Sequence, residues 1–186
     1  MSGSLYIIRH GRTDWNDKHI LQGKTDIPLN ETGIKMAEDA AVRYRDIHFD
    51  ICFCSPLSRA KETAQILLKG RAIPIYYDER LREMSFGIYE GVHNSFKDPD
   101  CYVKVFFEEP EKYLERPEGG ESILDLMKRT NEFLDEKVYP LIDEGKDVLI
   151  VGHGAMNSAI KCNVRKLDLK DFWVEGIENC KLMKLI

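Results

Sequence analysis

The chain has 186 residues, 27 Lys+Arg against 32 Asp+Glu for a net charge of −5, and 43% hydrophobic residues. That length fits one domain, 1–186, able to bury roughly 70% of its unfolded surface, so its core needs no disulfide or metal staple. The apolar runs Leu5–Ile8, Ile51–Cys54 and Val148–Val151 fall far short of the ~20 residues of a membrane span, and the acidic balance argues against nucleic-acid binding, which demands clustered Lys and Arg.

No charged segment followed by a long apolar stretch opens the chain, so no secretory signal is expected. The five cysteines have neither framework nor zinc spacing. They are expected to be reduced thiols in a cytoplasmic protein.

In chain order, Leu5–Arg9 reads as a buried strand closed by Gly11. Asn30–Tyr44 reads as a helix with Ile34, Ala37, Ala41 and Tyr44 on one stripe. Ile51–Cys54 is a second strand, and its period of two places Cys52 and Cys54 on one face. Ser55-Pro56 reads as an N-cap followed by proline at the first helical position, opening a helix to about Leu68. Ile73–Tyr77 is a third strand, which Pro74 marks as an edge or a strand start.

Residues 85–120 carry Gly87, Gly91, Pro99, Pro110 and Pro117 between aromatic pieces. They are expected to leave the sheet, partly helical, with a lid or insertion at about 88–120. Ser122 opens a long helix with Asp125 as a partial capping box, running to near Pro140. Asp147–Gly152 is a fourth strand, residues after Gly154 a helix, and Cys180–Ile186 a final strand. Strands alternating with helices imply an α/β fold, a largely parallel sheet covered on both faces.

Two strands end alike, in Arg9-His10-Gly11 and in Gly152-His153-Gly154. Ligands of open α/β sheets sit at the carboxyl ends of strands, where these imidazoles would face each other. The glycines let a ligand approach the backbone. Arg59, in the first turn of the helix after Cys54, leans back toward the same edge. Two guanidiniums, two imidazoles and a helix N-terminus describe an anion pocket suited to phosphate.

These residues carry a family resemblance. The chain resembles the histidine phosphatase superfamily, the phosphoglycerate-mutase-like family, in five ordered blocks. The first is Arg9–Gly11 with Thr13, Asn16, Gln22-Gly23, Asp26, Pro28-Leu29 and Thr32-Gly33. The second is Ser55-Pro56-Leu57 with Arg59-Ala60 and Thr63-Ala64. The third is Leu81, Glu83, Phe86-Gly87 and Glu90-Gly91. Gly119–Ser122 and Gly152–Gly154 complete it.

The resemblance implies a three-layer α/β/α sandwich and a phosphatase working through a phosphohistidine. His10 would attack phosphorus, and Arg9, Arg59 and His153 would hold the phosphoryl oxygens. Glu83 would give a proton to the leaving group and then take one from water. Asn16, Gln22, Gly23 and Gly154 would complete the substrate pocket. Neutral imidazole is a competent nucleophile near pH 7, and charge stabilisation is most of what phosphoryl transfer asks of a protein.

No metal or other cofactor is implied, save 2,3-bisphosphoglycerate if the chain is instead a phosphoglycerate mutase, whose core residues are the same. A binding module without catalysis is the third reading. The partner implied is a small phosphorylated substrate, with neither nucleic acid nor membrane, for a monomer or homodimer. Departures from the family pattern fall at Arg12 and at Ala155–Ser158, beside the core rather than in it. Arg12 and Lys24 stand either near the mouth or as solvated surface charge. Tyr102, Phe106, Phe107, Tyr113 and Arg116 either line the pocket or pack the lid.

Overall fold

The computed structural model describes residues 2–94 and 97–186. Five strands, β1 (Leu5–Arg9), β2 (Ile51–Cys54), β3 (Ile75–Tyr77), β4 (Val148–Gly152) and β5 (Leu182–Lys184), form one sheet in the order β3-β2-β4-β1-β5. All pair in parallel except β5, which runs antiparallel to β1. Leu5, Ile7, Phe53, Val148 and Ile150 face one core, and Ile8, Cys52, Cys54, Leu149 and Val151 the other. Burial on both faces is why the central strands read as unbroken apolar runs rather than as alternation.

Helices α1 (Asp14–Asp17), α2 (Glu31–Arg43), α3 (Ser58–Leu67), α4 (Val103–Glu108), α5 (Ile123–Phe133), α6 (Tyr139–Asp143) and α7 (Gly154–Arg165) complete the fold. α2 and α3 cover one face, and α5 and α7 the other, giving three layers. All five cysteines are free and buried, with Cys52 and Cys54 on one face. Among the described residues no helix is long and apolar enough to cross a membrane.

Four expectations are corrected. The buried stripe of α2 is Gly33, Ala37 and Ala40, whereas Ile34 is exposed. Gly33 packs so closely on the backbone that a Cβ there would stand 2.0 Å from the Arg12 carbonyl oxygen. Ala37 is buried as expected and Ala41 and Tyr44 pack against the same core, so of the expected stripe Ile34 is the residue turned outward. Second, α3 starts at Ser58, after an N-cap at Leu57 that makes no side-chain bond. Asp26 supplies the missing acceptor from a distant loop, taking the Ser58 N–H at 2.8 Å.

Third, β3 starts at Ile75 rather than Ile73, while the edge position marked by Pro74 holds, Pro74 lying just before the strand and accepting from Cys52 N at 2.9 Å through its carbonyl. β5 likewise begins only at Leu182, because Cys180 adopts a left-handed φ of 55° that no strand continues. Fourth, the long helix is not uniform. Its Ser122–Asp125 capping box is complete. After α5 the chain makes a π-helical turn, Leu134–Val138, and then α6. Pro140 has no N–H for a helical bond and crowds the turn before it, which favours this local widening.

The segment 88–120 does leave the sheet. It holds α4 and a 3-10 turn at Pro110–Lys112. Ser95 and Phe96 within it, like Met1, lie outside the described residues.

Candidate active site

Parallel pairing brings the carboxyl ends of β1, β2 and β4 to one edge. Arg9 stands beside Gly152 in register. The next residues, His10 and His153, therefore meet, with ring centroids 5.1 Å apart. β2 delivers Ser55 to the same place, and its hydroxyl lies 2.7 Å from His153 Nε2. Arg59 sits in the first turn of α3, fully buried.

The hydrogen bonds fix the His10 tautomer. Nδ1 is 2.6 Å from the Gly11 carbonyl, which only accepts, so Nδ1 carries the proton. Nε2 then bears the lone pair, and Arg59 Nε, which only donates, lies 3.3 Å from it. Burial, then Arg59 and Arg9, push the His10 pKa well below its usual value. The ring is neutral and nucleophilic near pH 7. His153 is shifted the same way by burial, Arg59 and His10.

The guanidinium of Arg59 donates to the carbonyls of Thr25 at 2.8 Å and Gly23 at 2.7 Å. Burial lowers its pKa to about 10, which leaves it cationic at neutral pH. Arg9 is held at one end by the Ile177 carbonyl, 3.1 Å away. Its Nε, and Nδ1 of His153, are buried with no hydrogen-bond partner among the described residues. Unpartnered buried polar nitrogens are rare, and here two of them, the Arg9 Nε–H donor and the His153 ring nitrogen, flank a neutral imidazole.

Glu83 comes from the stretch after a 3-10 turn at Glu79–Leu81. Its carboxylate accepts the N–H groups of Met84 at 2.8 Å, Met156 at 3.0 Å and Ala155 at 3.1 Å. The last two are free donors of the first turn of α7. Gly154 separates Glu83 from Arg9: a Cβ there would lie 3.5 Å from Arg9 Cζ and 3.7 Å from Glu83 Oε2.

A cavity of about 240 Å³ opens on this cluster. Arg9, His10, Asn16, Gln22, Gly23, Arg59, Glu83 and Gly154 line it. His153 is not among the lining residues but backs His10. Asn16 Oδ1 accepts the Thr13 N–H, in the capping box of α1, and its amide end remains for the cavity. The Gln22 side chain is tied through Oε1 to the Thr13 hydroxyl at 2.9 Å.

The rest of the wall is Trp15, His19, Ile20, Leu21, Phe86, Phe106, Phe107, Ala155 and Trp173. Phe107 and Trp173 stack at 5.6 Å with an interplanar angle of 18°. Trp173 Nε1 donates to the Phe106 carbonyl at 2.9 Å. Of the aromatic residues foreseen between 88 and 120, Phe106 and Phe107 reach the cavity. Tyr102 and Tyr113 stack on each other instead at 4.7 Å, with Tyr113 fully buried. Arg116 is drawn away by an ion pair with Asp125, and Arg12 by one with Asp17 at 2.6 Å. Lys24 likewise lies outside the cavity.

The model of the histidine phosphatase superfamily (branch 1) matches residues 5–186. The chain belongs to the histidine phosphatase superfamily. Within that family it is 35% identical over 169 residues to a 2,3-bisphosphoglycerate-dependent phosphoglycerate mutase of Cytophaga hutchinsonii, covering 90% of this chain and 79% of the mutase.

Bacillus stearothermophilus YhfR superposes with a TM-score of 0.87 at 32% identity, covering 98% of this chain and 90% of its own. A phosphoserine phosphatase of Entamoeba histolytica, solved with 3-phosphoglyceric acid, gives a TM-score of 0.84 at 28% identity, over 98% and 89%.

Several residues of this histidine phosphatase site escape a reading of the sequence for function. Thr63 accepts the Gly11 N–H at 3.0 Å and donates to the Arg59 carbonyl at 2.7 Å, joining two of the blocks. Asn179 donates to the His10 carbonyl at 2.7 Å. Arg129 on α5 forks onto Glu121 and donates to the Glu83 carbonyl at 3.3 Å, supporting the backbone under the carboxylate. None carries a local motif. The block membership of Thr63 was the one signal available.

Proposed function

We propose that the protein is a single-domain phosphomonoesterase that acts through a phosphohistidine at His10. The observation that carries this reading is the neutral, tautomer-fixed His10 set among Arg59, the unpartnered Arg9 Nε and the unpartnered His153 Nδ1. In the first step the Nε2 lone pair attacks phosphorus as the ester P–O bond breaks. Arg9, Arg59 and His153 stabilise the phosphoryl oxygens, with the Asn16 amide assisting.

Glu83, protonated for this step, passes its proton to the departing alkoxide. In the second step water attacks the phosphohistidine, Glu83 takes a proton from it, and inorganic phosphate is released with His10 restored. The backbone at Gly23 and the held Gln22 shape the floor, and Gly154 leaves room between Arg9 and Glu83. Every positive charge that the chemistry uses comes from side chains, so the proposal includes no metal.

The substrate is a small phosphomonoester whose organic group is apolar. Beyond the phosphoryl site the wall is mainly aromatic and aliphatic, with His19 among it, and among the described residues Arg9 and Arg59 are its Lys or Arg side chains. A primed mutase must also hold a carboxylate and a second phosphate, and among the described residues this wall offers no further Lys or Arg for either.

The test is phosphate release from 1-naphthyl phosphate, phosphoserine and 3-phosphoglycerate by wild type and His10→Ala. Release by wild type alone, fastest from the aryl ester, is expected. Conversion of 3-phosphoglycerate to its 2-isomer without release, dependent on 2,3-bisphosphoglycerate, would replace the reading with the mutase.

A further inference from the structure

Five donors converge on a carboxylate that lies outside the cavity. Glu90, just after a 3-10 turn at Gly87–Tyr89, accepts from Lys24 N at 3.1 Å, Phe86 N at 3.0 Å and the Ser85 hydroxyl at 3.4 Å through Oε1. Its Oε2 accepts from Thr25 N at 3.1 Å and the Thr25 hydroxyl at 2.6 Å. All five donors are neutral. Three of them belong to the loop at 23–25, which has no helix or strand to hold it.

That loop is where Arg59 is anchored, through the carbonyls of Gly23 and Thr25. Gly23 is left-handed, with φ of 54°, and a Cβ on it would stand 2.2 Å from Glu90 Oε1. The carboxylate therefore packs directly on the Cα of the residue whose carbonyl holds the guanidinium. From there Arg59 Nε reaches His10 Nε2. A continuous line of contacts runs from Glu90 through the loop and Arg59 to the proposed nucleophile.

We infer that Glu90 is a positioning residue: it clamps the loop at 23–25 so that its two carbonyls aim Arg59 at His10 and at the phosphoryl group. The inference rests on the proposed roles of His10 and Arg59. An arginine on a flexible stem loses rotamer freedom when fixed, and two carbonyls on an irregular loop fix it only if the loop itself is held. Misplacement by about 1 Å at such a site is worth roughly 100-fold in rate.

The experiment compares wild type with Glu90→Gln. The glutamine has nearly the same shape, but its amide NH₂ faces N–H and O–H donors in place of one carboxylate oxygen. Orthovanadate binding, followed by calorimetry, is expected to weaken by about 10–100-fold. The kcat/KM for p-nitrophenyl phosphate and for phosphoserine should fall by a common factor, since Arg59 acts on the phosphoryl group and not on the leaving group.

The acidic limb of the pH profile should also move upward. The groups facing His10 are Arg59 from α3, Arg9 on its own strand, His153 from the β4–α7 junction and Glu83 across the cavity. Of these, Arg59 is the one anchored on the clamped loop, and its charge helps keep the imidazole unprotonated. A purely structural role for Glu90 would leave that limb in place. Thr25→Val, which removes the 2.6 Å bond but not the carboxylate, should shift all three readouts in the same direction by a smaller factor; it serves if Glu90→Gln does not fold.

Wild-type orthovanadate affinity in Glu90→Gln, or lost activity with both the affinity and the acidic limb unmoved, overturns the inference. Orthovanadate binding needs no turnover, so an inactive wild type that binds the anion would overturn the phosphatase reading alone.

Discussion

Acid should destabilise this fold well before its carboxylates protonate. His10 and His153 are buried, and burial followed by Arg59 holds both pKa values well below the ordinary value of 6.5. In the unfolded chain each imidazole takes up a proton near pH 6.5. Between that value and the lower folded ones, the unfolded state binds more protons, so stability falls as the pH drops and is level above the window.

Each such proton contributes about 1.4 kcal/mol per pH unit, and two give a limiting slope of about 2.7 kcal/mol. If neither ring protonates while folded, the loss from pH 7.5 to 5 approaches about 4 kcal/mol, a large share of an ordinary domain's 5–15 kcal/mol. The lowered carboxyl groups Asp50, Asp78, Asp125 and Glu136 add a loss of the same sign, but only as the pH falls through about 4 and below.

The interval from pH 6.5 to 5 thus isolates the two rings. Urea unfolding at half-unit steps, on wild type and on His10→Gln/His153→Gln, measures the slope directly. The double variant should be nearly flat where wild type falls steeply. Parallel curves would refute the argument, because they would mean that the buried imidazoles do not govern acid stability.

Three further outcomes bear on the site. Glu83→Gln should slow phosphoserine hydrolysis by about 10²–10⁴ and p-nitrophenyl phosphate hydrolysis far less, because the second leaving group needs little protonation; steady-state kinetics on the pair will show it, and equal losses would remove Glu83 from the acid role. Trp173→Ala should lower kcat/KM for 1-naphthyl phosphate by about tenfold through loss of the wall that stacks on Phe107, while inhibition by inorganic phosphate stays within roughly twofold. Gly154→Ala should be tolerated, since its Cβ meets Arg9 and Glu83 at 3.5 and 3.7 Å, ordinary contact distances, whereas Gly154→Val should lose about 100-fold in activity by parting the two side chains.

The proposed phosphoryl-binding centre was legible because each of its members stands where a strand ends or a helix begins. Arg9-His10 and Gly152-His153 close apolar runs, and parallel pairing of β1 with β4 brings them together. Arg59 was legible for a related reason, its place in the first turn of α3. What failed was the local detail that distant residues decide. The helix expected from Ser55 starts instead at Ser58, whose N–H Asp26 takes, while the Ser55 hydroxyl accepts the Leu57 N–H at 3.3 Å and also engages His153. The stripe of α2 followed Gly33, whose lack of a side chain no hydropathy pattern scores as core.

The aromatic wall escaped for the opposite reason. Between 88 and 120 Tyr102, Phe106, Phe107 and Tyr113 were all candidates, and only packing separates Phe106 and Phe107 from Tyr102 and Tyr113. Trp173 joins them from a stretch with no strand or helix motif to mark it. This difference follows from what each part must do. Charge stabilisation of a phosphoryl group needs particular donors at strand and helix ends, and their residue types are written in short blocks.

Selection of an organic group needs only area of a given shape, which side chains from remote segments supply together. A phosphoglycerate mutase resembles this chain in sequence and a phosphoserine phosphatase in fold, and on the proposed reading the choice of substrate is made in the wall. In this chain that wall is Trp15, His19, Ile20, Leu21, Phe86, Phe106, Phe107, Ala155 and Trp173, and on the proposed reading a charged organic group placed against its apolar part would lose water without gaining a partner.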